Sequence, residues 1–452
     1  MISSEENKEL TQVGPGTPMG ELLRRYWFPV AGSVELTQHP TKSVQLLGES
    51  LVLYRDKGGR LGLLQRSCPH RRVDLAYGFP DDEGLRCGYH GWLFNAEGQC
   101  LDMPAESEES MFKDKVNITA YPVEELGGLV FAYLGPKPVP LLPRWSQLVD
   151  DNIIRDIGYS VLPANWVQIM ENNVDQSHTE WLHGHYFNFL LEQRAALGPT
   201  VRGVDPKFYA DELARNGGKP LEARRRGGPL GWKHVKMGWD VTDYGIIKRR
   251  VIDGNDESHA QWAVGHPIIF PHMVKGAANS GISQMQFRVP MDDTHSMEIF
   301  YTHFIPPEGM TVPKQETIPW YEIPMEDDRG WHITETISQQ DMMVMTTQGE
   351  GTGIIDRSIE KLGESDRGVI LYRKLLKDQM QIVQDGGEPM NVFWEASQNE
   401  RIDIPYESYP MTPDSGPYPR SGNRSRYSPN IDWLEGIYES CRESLKEQAT
   451  AR

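Results

Sequence analysis

"CPHRRVDLAYGFPDDEGLRCGYH", residues 68–90, holds two of the four cysteines in a chain of 452 residues, each with a histidine close by. Cys68 and His70 make a C-x-H pair, and Cys87 and His90 make a C-x-x-H pair. Two tight pairs joined by a spacer are how a chain surrounds a metal centre: each turn supplies two ligands, and the spacer folds the turns together. Zinc is the first candidate. Zinc fingers, however, lead with two cysteines and close with two histidines, whereas each pair here mixes a soft thiolate with an imidazole. A 2Fe-2S centre with both cysteines on one iron and both histidines on the other needs that mixing, because each loop then serves both irons. Pro69, Gly88 and Gly91 supply tight turns where backbone N–H groups can face cluster sulfurs.

The rest of the composition sets bounds. A chain of 452 residues exceeds the size at which one core stops growing, so two or more domains are expected. Hydrophobic residues at 38% and charged residues at 24% describe an ordinary globular protein, and 43 glycines with 32 prolines point to many loops. The longest apolar run, "GGLVFAYLG" at 127–135, is too short to cross a bilayer, and "MISSEENKEL" has no signal region. No membrane association and a cytoplasmic location are the expectation. Cysteines as scattered as Cys100 and Cys441 do not make a disulfide framework. A net charge of -18 argues against nucleic acid or an anionic membrane as partner.

The two loops resemble those of Rieske 2Fe-2S domains. Respiratory members of that class carry a further cysteine in each loop, forming a disulfide; Val73 and Tyr89 stand at those positions here, so the resemblance is to the ferredoxin and oxygenase branch. Strand-like stretches such as "QLLGESLVLYR", "LGLLQRS" and "LVFAYLGP" place a Rieske domain at 41–145, after an N-terminal helical segment at 1–40 in which Thr17 caps a helix begun by Pro18. An electron carrier has no use for the remaining residues, which directs attention downstream.

"NWVQIMENNVDQSHTEWLHGHYF", residues 165–187, contains Asp175, His178 and His183 in a D-x-x-H-x-x-x-x-H pattern. Asn172, Asp175 and His178 are three apart and are expected to share a helical face. The step of five to His183 leaves that face, so the helix is expected to end or bulge there. This stretch resembles the iron segment of the Rieske non-haem iron oxygenases, and "VGPGTPMGELLRRYWFPVAGSVEL" (13–36), "YPVEELGGLVFAYLGP" (121–136) and "DRSIEKLGESDRGVILYRKLL" (356–376) resemble its phthalate-dioxygenase-like group.

The resemblance implies an α+β chain: an all-β Rieske domain, then a catalytic domain at 146–452 with an antiparallel sheet packed on helices, a helix-grip or START-like arrangement. It implies two cofactors per chain, one Rieske 2Fe-2S cluster on Cys68, His70, Cys87 and His90 and one mononuclear non-haem Fe(II) on His178, His183 and a carboxylate. Asp341, in "ISQQDMMVMTTQGEG" (337–351), is the favoured carboxylate ahead of Asp356 and Asp366, and His185 is the alternative to His183. Asp175 is implied to link the cluster of a neighbouring subunit to His178, which calls for a homo-oligomer, a trimer or a dimer of trimers. Asn172 is implied to lie near the iron. No G-x-G-x-x-G follows a strand, so NADH is expected to act only through a separate reductase, a ferredoxin, or both.

The reaction implied is O2-dependent O-demethylation of a lignin-derived methoxylated aromatic acid of the 5,5'-dehydrodivanillate kind, with release of formaldehyde. Ring mono- or dihydroxylation of an aromatic carboxylate stays open, as does an electron-transfer protein with an inactive iron site. Strands expected between residues 230 and 305 carry Lys248, Arg249, Arg250, His266 and His272 as candidates to meet a substrate carboxylate, though alternation must turn half of them away. Arg66, Arg71, Arg72 and Arg86 flank the cluster loops and form either a docking face for an acidic partner or ion pairs with Asp74, Asp81, Asp82 and Glu83. A charged, Gly-rich loop is expected at 211–231, a Pro- and Ser-rich wrap at 407–430, and a final helix after it.

Overall fold

A computed structural model describes residues 2–107, 109–215, 233–419 and 424–450. Most of the loop expected at 211–231 lies outside the described residues, and the helix Pro206–Arg215 takes up its first positions.

Short antiparallel sheets build the N-terminal part. Thr41–Leu46, Glu49–Arg55, Leu61–Gln65 and Ala120–Tyr121 form one sheet of four strands; Phe79–Asp81, Gly84–Arg86, Leu93–Phe94 and Cys100–Asp102 form another. The 1–40 segment is not wholly helical. After Ser4–Thr11 and Pro18–Leu23, the latter capped by the Thr17 hydroxyl accepting from the Gly20 N–H at 3.1 Å, the chain forms a strand at Trp27–Gly32. All six of its residues are buried, and it pairs with Leu129–Tyr133 in a three-stranded sheet. A short, continuous apolar run, buried throughout and opened by two aromatics, suits a strand covered on both faces.

Two apolar cores follow from this layout. Val52, Tyr54, Leu64, Leu75, Leu85, Trp92, Phe94 and Ile118 pack together with Cys68 and Cys87 beneath the loops of the second four-stranded sheet. A larger core runs from Leu10, Phe28 and Leu53 through Phe131 to Ile157, Trp166, Phe287 and Tyr372, so the N-terminal segment, two of the three sheets of the first part and the second part share one interior.

The second part is organised by a sheet of ten strands. Along its main path lie His234–Thr242, Gly245–Ile252, His266–Ile269, Met273–Lys275, Ile282–Pro290, Ser296–Phe304, Ile154–Leu162 and Trp320–Glu322. Neighbours on this path are antiparallel except the last pair, which is parallel. The helices Trp166–Val174, Ile337–Thr347 and Arg367–Gln384 gather against it, and Glu171 on the first is clamped in the interior by Arg357 at 2.8 Å and Arg373 at 2.6 Å. The chain is α+β, β-rich first and then sheet with helices. Among the described residues, no helix is long and apolar enough to cross a membrane.

Candidate active site and metal centres

The loops carrying Cys68 and Cys87 are tight turns closed by their own backbone. Arg72 N–H donates to the Cys68 carbonyl and Gly91 N–H to the Cys87 carbonyl, at 2.9 and 3.0 Å. Both turns need a positive φ, taken by Arg72 (60°) and Gly91 (77°). The two sulfurs are buried side by side, while the His70 and His90 rings sit 4.4 Å apart toward the surface, with Trp92 stacked on His70 at 4.6 Å. Backbone N–H groups of His70 and Arg71 point at the Cys68 sulfur. Burial nonetheless pushes the Cys68 thiol up to about 11, helped by the adjacent Cys87. A paired thiol floor, an imidazole rim and N–H donors aimed at sulfur fit a 2Fe-2S cluster with mixed ligands. Of the flanking arginines, Arg66 pairs with Asp74 at 2.5 Å, and Arg86 pairs with Asp81 and Asp102, each at 2.8 Å. Arg71 lies over the exposed Tyr89 ring, and Arg72 is exposed.

The second centre is built by a broken helix. Trp166–Val174 ends before Asp175, whose backbone is extended (φ -65°, ψ 137°), so Asn172, Asp175 and His178 do not share one helical face. The Asp175 carboxylate accepts from the N–H groups of Ser177 (2.7 Å) and His178 (3.1 Å) and thereby starts the next helix. It also faces His178 Nδ1 at 3.1 Å. The turn Trp181–Tyr186 is π-helical, and its wider winding brings a residue five positions on back beneath His178. His183 is that residue, with ring centroids 5.1 Å apart.

Asp341 arrives on Ile337–Thr347. Its Oδ1 lies 3.1 Å from His183 Nε2 and 3.6 Å from His178 Nε2, and one ligand atom from each of the three residues lies within 4.8 Å of the others. Asn172 Nδ2 donates to the same Oδ1 at 3.1 Å. His183 Nδ1 faces Gln340 Oε1 at 2.8 Å, and the Gln340 amide nitrogen donates to the Thr334 carbonyl. Both imidazoles are thus held through Nδ1 with Nε2 turned to a common point, the geometry of a two-histidine, one-carboxylate iron site with open positions. Burial alone would raise Asp341, but His183, His178 and Asn172 outweigh it and hold the carboxyl at about 2. His183 is buried, which opposes its protonation, yet Asp341 raises it; a divalent ion in that place satisfies both groups at once.

His185 lies tilted against Trp181 instead, and the Asp356 and Asp366 carboxylates cap their own turns at Ser358 and Gly363. Gln340, which fixes the His183 ring, was not foreseen; nothing marks it in the sequence except its place beside Asp341.

A cavity of about 380 Å³ opens between this centre and the sheet, lined by Asn172, Asn173, His178, Thr179, His183 and Asp341 on one side and by Lys248, His266, Gln284 and Gln286 on the other. Lys248 and His266 are register partners on neighbouring strands and face it together. Strand alternation sends Arg249 to the other face, onto Asp240 at 2.7 Å and the Trp262 and Ala263 carbonyls. Arg250 is buried and reaches Thr179 Oγ1 at 2.8 Å without lining the cavity. His272 does not reach the cavity at all: it follows the Phe270–Pro271 corner and is buried against Phe28 and Phe287. His266 lines the cavity with Nε2 on Glu407 at 2.5 Å.

Residues 26–122 match the Rieske [2Fe-2S] domain family, a span that includes the strand Trp27–Gly32. The chain is 38% identical over 90% of its length to the oxygenase subunit of 5,5'-dehydrodivanillate O-demethylase from Sphingobium sp. (strain NBRC 103272 / SYK-6), covering 87% of that protein. It is 32% identical over 89% of its length to the alpha subunit of phenoxybenzoate dioxygenase from Ectopseudomonas oleovorans, covering 91% of it, and 29% identical over 85% to the phthalate 4,5-dioxygenase oxygenase subunit of Pseudomonas putida, covering 88% of it. Among solved structures, the oxygenase–ferredoxin complex of carbazole 1,9a-dioxygenase shares the fold, with a TM-score of 0.54 at 19% identity over 86% of this chain and 99% of that one. With the site geometry, these similarities mean that the chain belongs to the Rieske non-haem iron oxygenases and uses a Rieske 2Fe-2S cluster and a mononuclear iron as its cofactors.

Proposed function

We propose that this chain is the terminal oxygenase of a system that O-demethylates a lignin-derived methoxylated aromatic acid of the 5,5'-dehydrodivanillate kind. The observation that carries the reading is the 38% identity, over nine-tenths of the chain, to an O-demethylase oxygenase subunit with that substrate in its name. Residues 41–145 with the strand Trp27–Gly32 make the electron-receiving part, and 146–452 the catalytic part. Cys68, His70, Cys87 and His90 hold the cluster; His178, His183 and Asp341 hold the iron. When bound, the cluster supplies single electrons and the iron activates O2; hydroxylation of the methoxy carbon gives a hemiacetal that collapses to a phenol and formaldehyde.

The chain's own residues set up that chemistry. Asp175 keeps the proton of His178 on Nδ1, and Gln340 does the same for His183, which leaves both Nε2 atoms free as ligands. Asn172 steadies the Asp341 carboxylate and faces the cavity beside it. In an assembly of three chains, or two such rings, Asp175 also meets the cluster histidine His90 of a neighbouring chain and carries electrons across the interface. Several relatives are named as oxygenase subunits, which supports an electron supply from a separate ferredoxin or reductase.

Product analysis tests the reading: purified iron-loaded protein, a surrogate ferredoxin and reductase, NADH, O2 and a panel of methoxylated and unsubstituted aromatic acids. Formaldehyde in step with a demethylated phenol is the expected result. A cis-diol or hydroxylated ring without formaldehyde would instead place the chain with its ring-oxidising relatives.

A further inference from the structure

Lys248 stands out among the cations around the cavity. Its Nζ donates to the Asn173 carbonyl at 2.7 Å, and among the described residues no carboxylate lies within ion-pairing distance of it. An ammonium has three N–H donors, so two are left to face the cavity that His178, His183 and Asp341 also line. Of the neighbouring cations, Arg250 reaches Thr179 Oγ1 without lining the cavity, and the rest are held by carboxylates or carbonyls. Arg249 lies on Asp240, Lys275 turns to Asp403 at 3.2 Å and the Ile404 carbonyl, and Arg288 is shared between Glu298 at 2.7 Å and Gln286 at 2.7 Å. His266 is held by Glu407.

Charge balance sharpens the point. Asp175 and Asp341 are the carboxylates whose fields reach Lys248. With a divalent iron in place, those two carboxylates balance the metal, and Lys248 is left at the cavity wall without a counter-ion. A partly buried cation in that condition favours an anionic ligand group. Burial lowers the Lys248 ammonium to about 8, against the fields of Asp175 and Asp341.

From this geometry we propose that Lys248 is the specificity-determining residue that binds the carboxylate of an aromatic acid, holding the ring in the cavity with its far substituent toward the iron. The proposal rests on the oxygenase reading above and narrows its substrates to aromatic anions. Neutral aromatics of the same size lack the group that Lys248 takes.

Calorimetry on the anaerobic iron-loaded full chain tests it, with 5,5'-dehydrodivanillate, phenoxybenzoate, phthalate and 3-chlorobenzoate compared with their methyl esters. At least one acid is expected to bind more tightly than its ester. Lys248→Met should weaken that acid by roughly tenfold to a hundredfold, the value of a charge-assisted hydrogen bond, and leave the ester unchanged. Lys248→Arg should restore most of the preference, and an unaltered cluster spectrum shows that each variant is folded. Acid and ester weakening alike in Lys248→Met, or no acid preferred over its ester by the unaltered protein, overturns the proposal. The demethylase reading fails separately. A Lys248-dependent acid preference without formaldehyde keeps the anchor and removes O-demethylation, whereas formaldehyde from a neutral methoxyarene with no acid preference does the reverse.

Discussion

Gln340 and His183 are locked in one orientation: Gln340 Oε1 lies 2.8 Å from His183 Nδ1, while the Gln340 amide nitrogen is spent on the Thr334 carbonyl at 2.9 Å. The amide cannot flip without losing both bonds, so it accepts the Nδ1 proton and leaves Nε2 bare. Gln340→Leu removes that acceptor and is expected to weaken the mononuclear iron about tenfold to a hundredfold. Iron titration of the chelator-treated protein measures this, with the cluster absorbance unchanged as the control.

His178→Ala and Asp341→Ala should each lose the mononuclear iron and all turnover while keeping the visible spectrum of the cluster, whose ligands lie in separate loops with their own small core. Iron analysis beside the absorption spectrum reads both at once. A bleached cluster in either variant would mean that the two centres have been confused.

Asp175→Asn keeps a hydrogen-bonding side chain at the start of the second helix but exchanges the carboxylate facing His178 for an amide. Both metals should remain, and electron passage from reduced cluster to iron should slow severely. A single-turnover experiment with pre-reduced protein, O2 and substrate follows it directly. Normal rates of cluster oxidation would remove Asp175 from the transfer route.

The Glu171 carboxylate is clamped between Arg357 and Arg373, and Arg373 also reaches Glu360 at 3.2 Å. Arg357 is 0% exposed and extends to Asn7 of the N-terminal helix. Removing one member strands buried charge, so Arg357→Met should cost about 3–5 kcal/mol in unfolding free energy. Denaturant titration measures the loss; Asn172, next in sequence to Glu171, makes lower iron occupancy an expected companion.

His272 carries the pH prediction. Burial pushes its pKa down from 6.5 to about 3, and among the described residues neither ring nitrogen has a hydrogen-bond partner. The unfolded chain therefore takes up a proton that the folded chain refuses. Stability is undiminished by this group above pH 6.5 and falls as pH drops from 6.5 toward 3. His272→Phe should flatten that slope, seen in melting temperatures taken across the acid range. An unchanged slope would place the acid sensitivity elsewhere.

The metal centres were legible in the sequence because their chemistry dictates residue type and spacing. Cys68, His70, Cys87 and His90 are a pattern that few other demands would produce, and the five-residue step from His178 to His183 already asked for the irregular winding that the π-helical turn supplies. The strand at Trp27–Gly32 was hidden, because its partner Leu129–Tyr133 lies far along the chain and local pattern cannot show such a pairing. Alternation could say that half of the basic residues face away, but not which half; that was decided by the register of Lys248 against His266. His272 misled because a lone histidine beside a corner looks the same whether it meets a ligand or fills a core. Asp175 was expected on a continuing helix, yet its carboxylate gains more by accepting two backbone N–H groups at the start of the next one.

The two proposed centres draw on very different spans of the chain. The residues proposed to hold the cluster all lie between 68 and 90, in loops over an apolar floor whose buried members end at Ile118. The proposed iron site draws on far more of the chain: Gln340, beside Asp341, meets His183 across 157 residues, with most strands of the long sheet in between. Occupancy of the proposed iron site therefore reports on the chain through the helix Ile337–Thr347, whereas cluster colour reports on loops confined to residues 68–90.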